Sequence, residues 1–169
     1  NSYDFNDLED WENRIDRAIN EQVEFVAELK YDGASISILY ENGKLKEAVT
    51  RGDGFQGDEI TANVKTISDI PMVLKGDVPE RFFMRGEIYL TRKNFDKINA
   101  RRAEEGLDLF MNPRNTASGS LKIQDSGEVR KRGLSAVLYQ FVSNEFPAQT
   151  HWELLQKAKD WGFRISDQA

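Results

Sequence analysis

The sequence contains no cysteine, which excludes disulfides and thiolate metal sites. It contains a single histidine, His151, beside Trp152 at the start of an expected helix, and reads as surface structure rather than as a catalytic base. No apolar run approaches the roughly 20 residues that a membrane-spanning helix needs, and the first residues show no signal-peptide pattern. These absences set the expectation of a cytoplasmic protein. Positive charge is also in short supply. The net charge is -6, which argues against tight, purely electrostatic binding of nucleic acid by the chain as a whole. A local basic surface stays open, because Arg101-Arg102, Arg114, Lys122 and Arg130-Lys131-Arg132 fall within one stretch; the alternative is scattered solvated charge.

What is present is enough for one ordinary domain: 169 residues, 39% hydrophobic and 31% charged. Leu8, Trp11, Ile15, Ala18 and Ile19 recur at helical spacing and predict a helix over Asn6–Asn20, with Asn6 and Glu9 as a capping pair. Val23–Leu29 reads as a short apolar strand. Ala34–Tyr40 and Leu45–Thr50 flank a turn of the Asn-Gly kind and predict a hairpin. Gly52–Gly57 reads as a loop, Arg81–Leu90 as a strand, Thr91–Glu105 as a helix with Phe95 and Ile98 inward, and Leu134–Val142 as a strand. Thr150-His151-Trp152-Glu153 is a capping box that opens a helix ending at Gly162. Helices inserted between hairpin-grouped strands predict an α+β fold, with antiparallel strands packed against helices. The three tryptophans lie on helix faces and read as core.

Four segments carry chemistry. Lys30-Tyr31-Asp32-Gly33 places an amine at the end of the apolar strand, where partial desolvation would favour its neutral, nucleophilic form. Asp32, two residues on, reads as an orienting partner for Lys30, and Gly33 as a point where a nucleotide approaches the backbone. Thr50-Arg51-Gly52-Asp53-Gly54 sets an arginine, whose donor fork suits phosphate, beside a glycine-rich loop. Arg85-Gly86-Glu87 places a carboxylate inside an apolar strand, where ribose hydroxyls are fitting partners; an ion pair with Arg85 or Arg51 is the alternative. Asn112-Pro113-Arg114-Asn115, continuing to Lys122, joins small residues, amides that fix loops, and two cations.

In this order the segments resemble the adenylation (nucleotidyltransferase) domain of bacterial NAD-dependent DNA ligases over nearly the whole chain. Glu28-Leu29-Lys30-Tyr31-Asp32-Gly33 resembles the motif whose lysine becomes adenylylated. Thr50–Gly54 with Gly57-Asp58-Glu59-Ile60-Thr61 and Asn63-Val64 resembles the family's second stretch, and Arg85–Glu87 and Asn112–Lys122 resemble the next two. Ser35 stands where ATP-dependent ligases usually carry arginine, which favours the NAD branch. Lys122 stands where the family usually has arginine, and Gly57-Asp58-Glu59 where it usually has Gly-Glu-Asp.

The resemblance implies that Lys30 attacks the adenylyl phosphate of NAD to form lysine–AMP, later transferred to the 5′-phosphate of a nick in double-stranded DNA during replication or repair. Lys30 and Asp32 are then catalytic. Glu28, Leu29, Gly33, Arg51, Glu87 and Tyr139 join Lys30 around the cofactor, with Glu87 on the ribose, Tyr139 stacked on the adenine, and Glu28 with Leu29 at the adenine edge. Arg114 and Lys122 contact phosphate or DNA. Mg²⁺ is expected to assist, held mainly by phosphates and water, because no metal-ligand cluster is legible. The chain is expected to be a monomer and a single domain over 1–169, with a leading helix in 1–20. It is also expected to be truncated at both ends and weakly active or inactive alone, since an upstream nicotinamide-gripping module and a downstream strand pair with two lysines are missing. The alternatives are an ATP-dependent nucleotidyltransferase and a non-catalytic adenosine-binding fragment.

Overall fold

Asn42 and Gly43 both take positive φ, 50° and 70°, the backbone of a tight hairpin turn whose twist matches that of the strands it joins. They connect β1 (Ala34–Glu41) to β2 (Lys44–Thr50). β1 pairs on its other side with β3 (Arg81–Tyr89), and β3 pairs with β4 (Ser135–Val142), so a four-stranded antiparallel sheet runs in the order β2-β1-β3-β4. This computed structural model describes residues 4–19, 23–52 and 56–166.

Six helices are inserted around the sheet among the described residues: α1 (Phe5–Ile19), α2 (Thr61–Val64), α3 (Arg92–Glu104), α4 (Pro113–Leu121), α5 (Ser126–Arg132) and α6 (His151–Trp161). Alternate residues of the central strands, Ile36, Ile38 and Tyr40 on β1 and Phe82, Met84 and Ile88 on β3, are buried together with Val64, Leu121, Val129 and Leu154 from the helices. Tyr40, Phe82, Phe141, Trp161 and Phe163 form one aromatic cluster within it. The Tyr40 hydroxyl donates to the Pro71 carbonyl at 2.7 Å, and burial raises its pKa strongly. The α+β expectation is met. Among the described residues, no helix is long and apolar enough to cross a membrane.

Several local expectations are corrected. Val23–Leu29 is not a strand, and Phe25, Val26 and Leu29 stay exposed. A strand exists only through a ladder partner, and alternation cannot supply one. The free edge of β2 is instead bridged by Val73 and Glu59, and on β4 the Leu138 amide donates to the Arg164 carbonyl. The α1 helix forms, but Asp4 rather than Asn6 caps it, accepting from the Asp7 amide at 2.9 Å. The helix buries none of its residues: its periodic face meets Phe25 through Trp11 and otherwise faces outward. Of the tryptophans only Trp161 is core; Trp11 and Trp152 are exposed. The inward stripe of α6 is Leu154, Leu155, Ala158 and Trp161, and Trp152 falls on the opposite side. Pro113–Leu121, for which no element was expected, is a helix: Asn112 at its N-cap accepts from the Asn115 amide and Pro113 occupies the first turn, where its missing N–H costs nothing. The helices expected over Thr91–Glu105 and Thr150–Trp161 are present, with Phe95 buried, Ile98 partly buried and the Thr150/Glu153 capping box formed.

Candidate functional site

The face of β1 and β3 opposite the core carries Ser35, Ser37, Arg85 and Glu87, because side chains alternate along a strand. Ser35 lies directly across from Glu87 in the ladder. Between β3 and β4 the register slips: Arg85 faces Gln140 while Gly86 faces Leu138, leaving Tyr139 as the extra residue of a bulge. The Tyr139 hydroxyl donates to Glu87 Oε1 at 3.5 Å. Glu87 is half-buried, and desolvation pushes its carboxyl above the usual range; a hydrogen bond with Ser35 and the positive charges of Arg114 and Lys30 pull the other way. Lys30, Arg114, Ser35 and Tyr139 thus all act on one carboxylate. Desolvation likewise raises the Tyr139 phenol, which keeps it a donor.

Arg114 reaches this cluster from the first turn of α4, and its Nη1 donates to Asp32 Oδ1 at 3.1 Å. Asp32 is therefore the partner of Arg114. Lys30 lies on the irregular segment leading into β1 and is exposed, so the expected partial desolvation by the preceding apolar residues is absent. A Cβ at position 33 would lie 2.2 Å from the Ile88 carbonyl oxygen, so β3 requires glycine there.

Arg51 follows β2, and its amide donates to the Ser35 carbonyl at 2.9 Å, fixing the end of β2 against the start of β1. Its charge acts on Tyr139. A groove of about 540 Å³ lined by Ser35, Ser37, Thr50, Arg51, Arg85 and Tyr139 runs along this sheet face. Asp53 and Gly54 of the glycine-rich stretch lie outside the described residues. Lys122, at the end of α4, pairs with Asp58 Oδ2 at 2.8 Å. That contact is the main cause of a lowered Asp58 pKa, and Asp58 in turn is bonded to Thr50 at the end of β2. Glu28 is engaged by His151 Nε2 at 3.0 Å, and Leu29 is exposed, so these two are not drawn into the Glu87 cluster.

Motif reading included Asn63 in the second stretch but gave it no role. Its side-chain amide donates to the Leu121 and Ile123 carbonyls, both at 2.7 Å, and so clamps the backbone on either side of Lys122. Its Oδ1 is buried without a hydrogen-bond partner. A polar side chain at an otherwise apolar helix position was the available signal. No group of three or more His, Cys, Asp or Glu side chains suited to a metal ion occurs among the described residues.

A family model described as the NAD-dependent DNA ligase adenylation domain matches residues 1–169. The chain belongs to that family. It is 56% identical over 170 residues to a DNA ligase of Flavobacterium psychrophilum, covering 100% of this chain and 26% of that protein. The match to a Flavobacterium johnsoniae DNA ligase is also 56%, over 100% of this chain and 25% of the relative. A Bacteroides fragilis DNA ligase is 50% identical over 98% of this chain and 25% of its own length. This adenylation domain thus spans about a quarter of the length of the curated relatives it matches.

Proposed function

We propose that this domain carries out the first step of NAD-dependent DNA ligation, with Lys30 as nucleophile. The Lys30 amine, after losing a proton, attacks the adenylyl phosphorus of NAD. The phosphoanhydride bond breaks, nicotinamide mononucleotide leaves with the bond's electron pair on its phosphate, and a lysine–AMP phosphoramidate remains. AMP then passes to the 5′-phosphate of a DNA nick, and the 3′-hydroxyl displaces it. Such transfers depend mainly on positioning and charge neutralisation.

The observation that carries this reading is the contact of Arg114 with Asp32, two residues from Lys30, and of Tyr139 with Glu87, at one end of the open sheet face. A half-buried carboxylate already matched to hydroxyl partners suits a ribose, and Tyr139 is assigned to packing on the base. Arg51 and Arg114 supply donors for the phosphates, and Asp32 sets the direction of Arg114. Gly33 admits the segment that presents Lys30 against β3; Lys122, at the end of α4, is assigned to phosphate or DNA contact. Glu28 and Leu29 remain assigned to the adenine edge, Glu28 by leaving its contact with His151. Ser35, bonded to Glu87 and Tyr139, supports the NAD branch, because it stands where ATP-dependent ligases usually carry arginine. The described residues include no ligand set for Mg²⁺, and its part in neutralising phosphate charge would rest on the phosphates and water. The reading takes a monomer in the cytoplasm, acting as one domain.

Intact mass before and after incubation with NAD and Mg²⁺, with ATP in parallel, tests the proposal. One adenylyl group gained with NAD only, and lost in Lys30→Ala, supports it. An adduct retained in Lys30→Ala removes Lys30 as nucleophile. No adduct in the parent chain favours an adenosine-binding role, and an adduct with ATP alone the ATP-dependent alternative.

A further inference from the structure

Tyr31, the residue after Lys30, sets its ring against that of Tyr89, with centroids 5.2 Å apart and planes inclined by 41°. Tyr89 ends β3 and follows Glu87 by two positions, so it belongs to the same sheet face. Both tyrosines are partly buried, whereas Lys30 is exposed. The backbone is close here as well: a Cβ at position 33 would come within 3.2 Å of the Tyr89 Cβ. An exposed lysine on an irregular segment is thus followed at once by a ring seated on the strand that carries Glu87.

The seat is itself held from other elements. Ser135, at the start of β4, is the ladder partner of Tyr89. The next residue, Ala136, donates its amide to Asp69 Oδ2 at 3.0 Å, and Asp69 Oδ1 accepts from Arg164 Nη1 at 2.8 Å. Arg164 lies beyond the end of α6, and its charge acts on both phenols. Desolvation raises the Tyr89 phenol above its ordinary range, which keeps it neutral. The Tyr31 ring therefore rests on a neutral, partly buried partner whose surroundings are tied to β4 and to the segment after α6.

An aromatic pair at a strand end serves stability in any fold; the place of this one, beside Lys30, gives it a further consequence. We propose that Tyr89 is a positioning residue for adenylyl transfer: by holding the Tyr31 ring it fixes the backbone from which Lys30 reaches the adenylyl phosphorus. This role rests on Lys30 being the nucleophile, as proposed above. Tyr89 itself touches no reacting atom.

Time courses of NAD-driven mass gain, beside hydrogen exchange of the segment 28–33, test this. Tyr89→Leu is expected to lower the rate at saturating NAD by about 10- to 100-fold. The NAD concentration giving half the maximal rate stays near that of the parent, and segment 28–33 exchanges faster. Tyr89→Phe, which keeps the ring, restores both. Tyr31→Leu gives the same losses, and Tyr31→Leu/Tyr89→Leu loses little more than either alone, because the two rings act as one unit. An unchanged rate in Tyr89→Leu overturns the proposal, as do additive losses in the double variant. A loss confined to the half-saturating NAD concentration overturns it too. If Tyr89→Leu melts below the assay temperature, Tyr31→Leu carries the same expectations. A parent chain that gains no mass from NAD speaks against the catalytic reading. Exchange then decides the seat, and unchanged exchange of segment 28–33 in Tyr89→Leu overturns it.

Discussion

Arg114 and Asp32, 82 residues apart in sequence, meet at 3.1 Å and bring the helix after Asn112 to the segment that carries Lys30. Both side chains are well exposed, so the pair contributes less than about 1 kcal/mol to stability. Its weight lies in placement. Arg114→Ala is expected to leave the thermal midpoint nearly unchanged and to slow lysine adenylylation by about 100-fold, as loss of one charge-stabilising donor does. Time courses of intact mass beside thermal melts check this; a variant that melts early and reacts normally refutes it.

Glu87 gives a pH signature. Its pKa is raised in the folded state by desolvation, so the folded protein holds that proton more tightly than the unfolded chain does. Ionised Glu87 therefore costs stability above its folded pKa, and the cost fades as pH falls through that range towards and below its ordinary value. Glu87→Gln is expected to melt slightly higher than the parent at neutral pH, to lose that advantage in acid, and to bind the nucleotide more weakly. Melts from pH 4 to 8, with nucleotide titrations at neutral pH, decide it.

Gly33→Ala separates a fold requirement from a ligand requirement. The added Cβ meets the Ile88 carbonyl at 2.2 Å, and strands must part to admit it. A loss of about 1–3 kcal/mol is expected from denaturant melts, independent of any nucleotide.

Asn63→Ala removes the donors of two carbonyls around Lys122. About 1–3 kcal/mol is expected for each carbonyl left buried without a partner, offset in part by the loss of the orphaned Asn63 oxygen. Chemical denaturation measures the net.

Lys122→Ala should return Asp58 towards its ordinary carboxyl pKa, since the bond to Lys122 is the leading cause of its depression. The sign is opposite to that of Glu87: a depressed carboxyl stabilises the fold above its ordinary pKa, and the gain is lost as pH falls through the folded value. Carboxyl NMR titration of Asp58 in parent and variant checks it. An unshifted Asp58 rules out the contact in solution.

Local signals determined much by themselves. The Asn-Gly turn, the Thr150/Glu153 capping box and the Phe95/Ile98 periodicity each involve residues within a few positions of one another, and each forms as read. The order of the four motifs was likewise a property of the chain alone, and it sufficed to place the family. What only the tertiary structure decided are matters of partnership. Whether Val23–Leu29 pairs depends on which segments occupy the sheet edges, and Val73, Glu59 and Arg164 do. Whether the face of α1 is covered depends on a neighbour, and periodicity names a face without supplying one. Asp32 chose Arg114, Glu28 chose His151 and Lys122 chose Asp58 across 82, 123 and 64 positions, distances over which sequence spacing carries no geometry. The bulge that leaves Tyr139 beside Glu87 is a register event between two strands. Backbone pairing and close approach exist only once the sheet has assembled, and they are what bring Ser35, Glu87 and Tyr139 together.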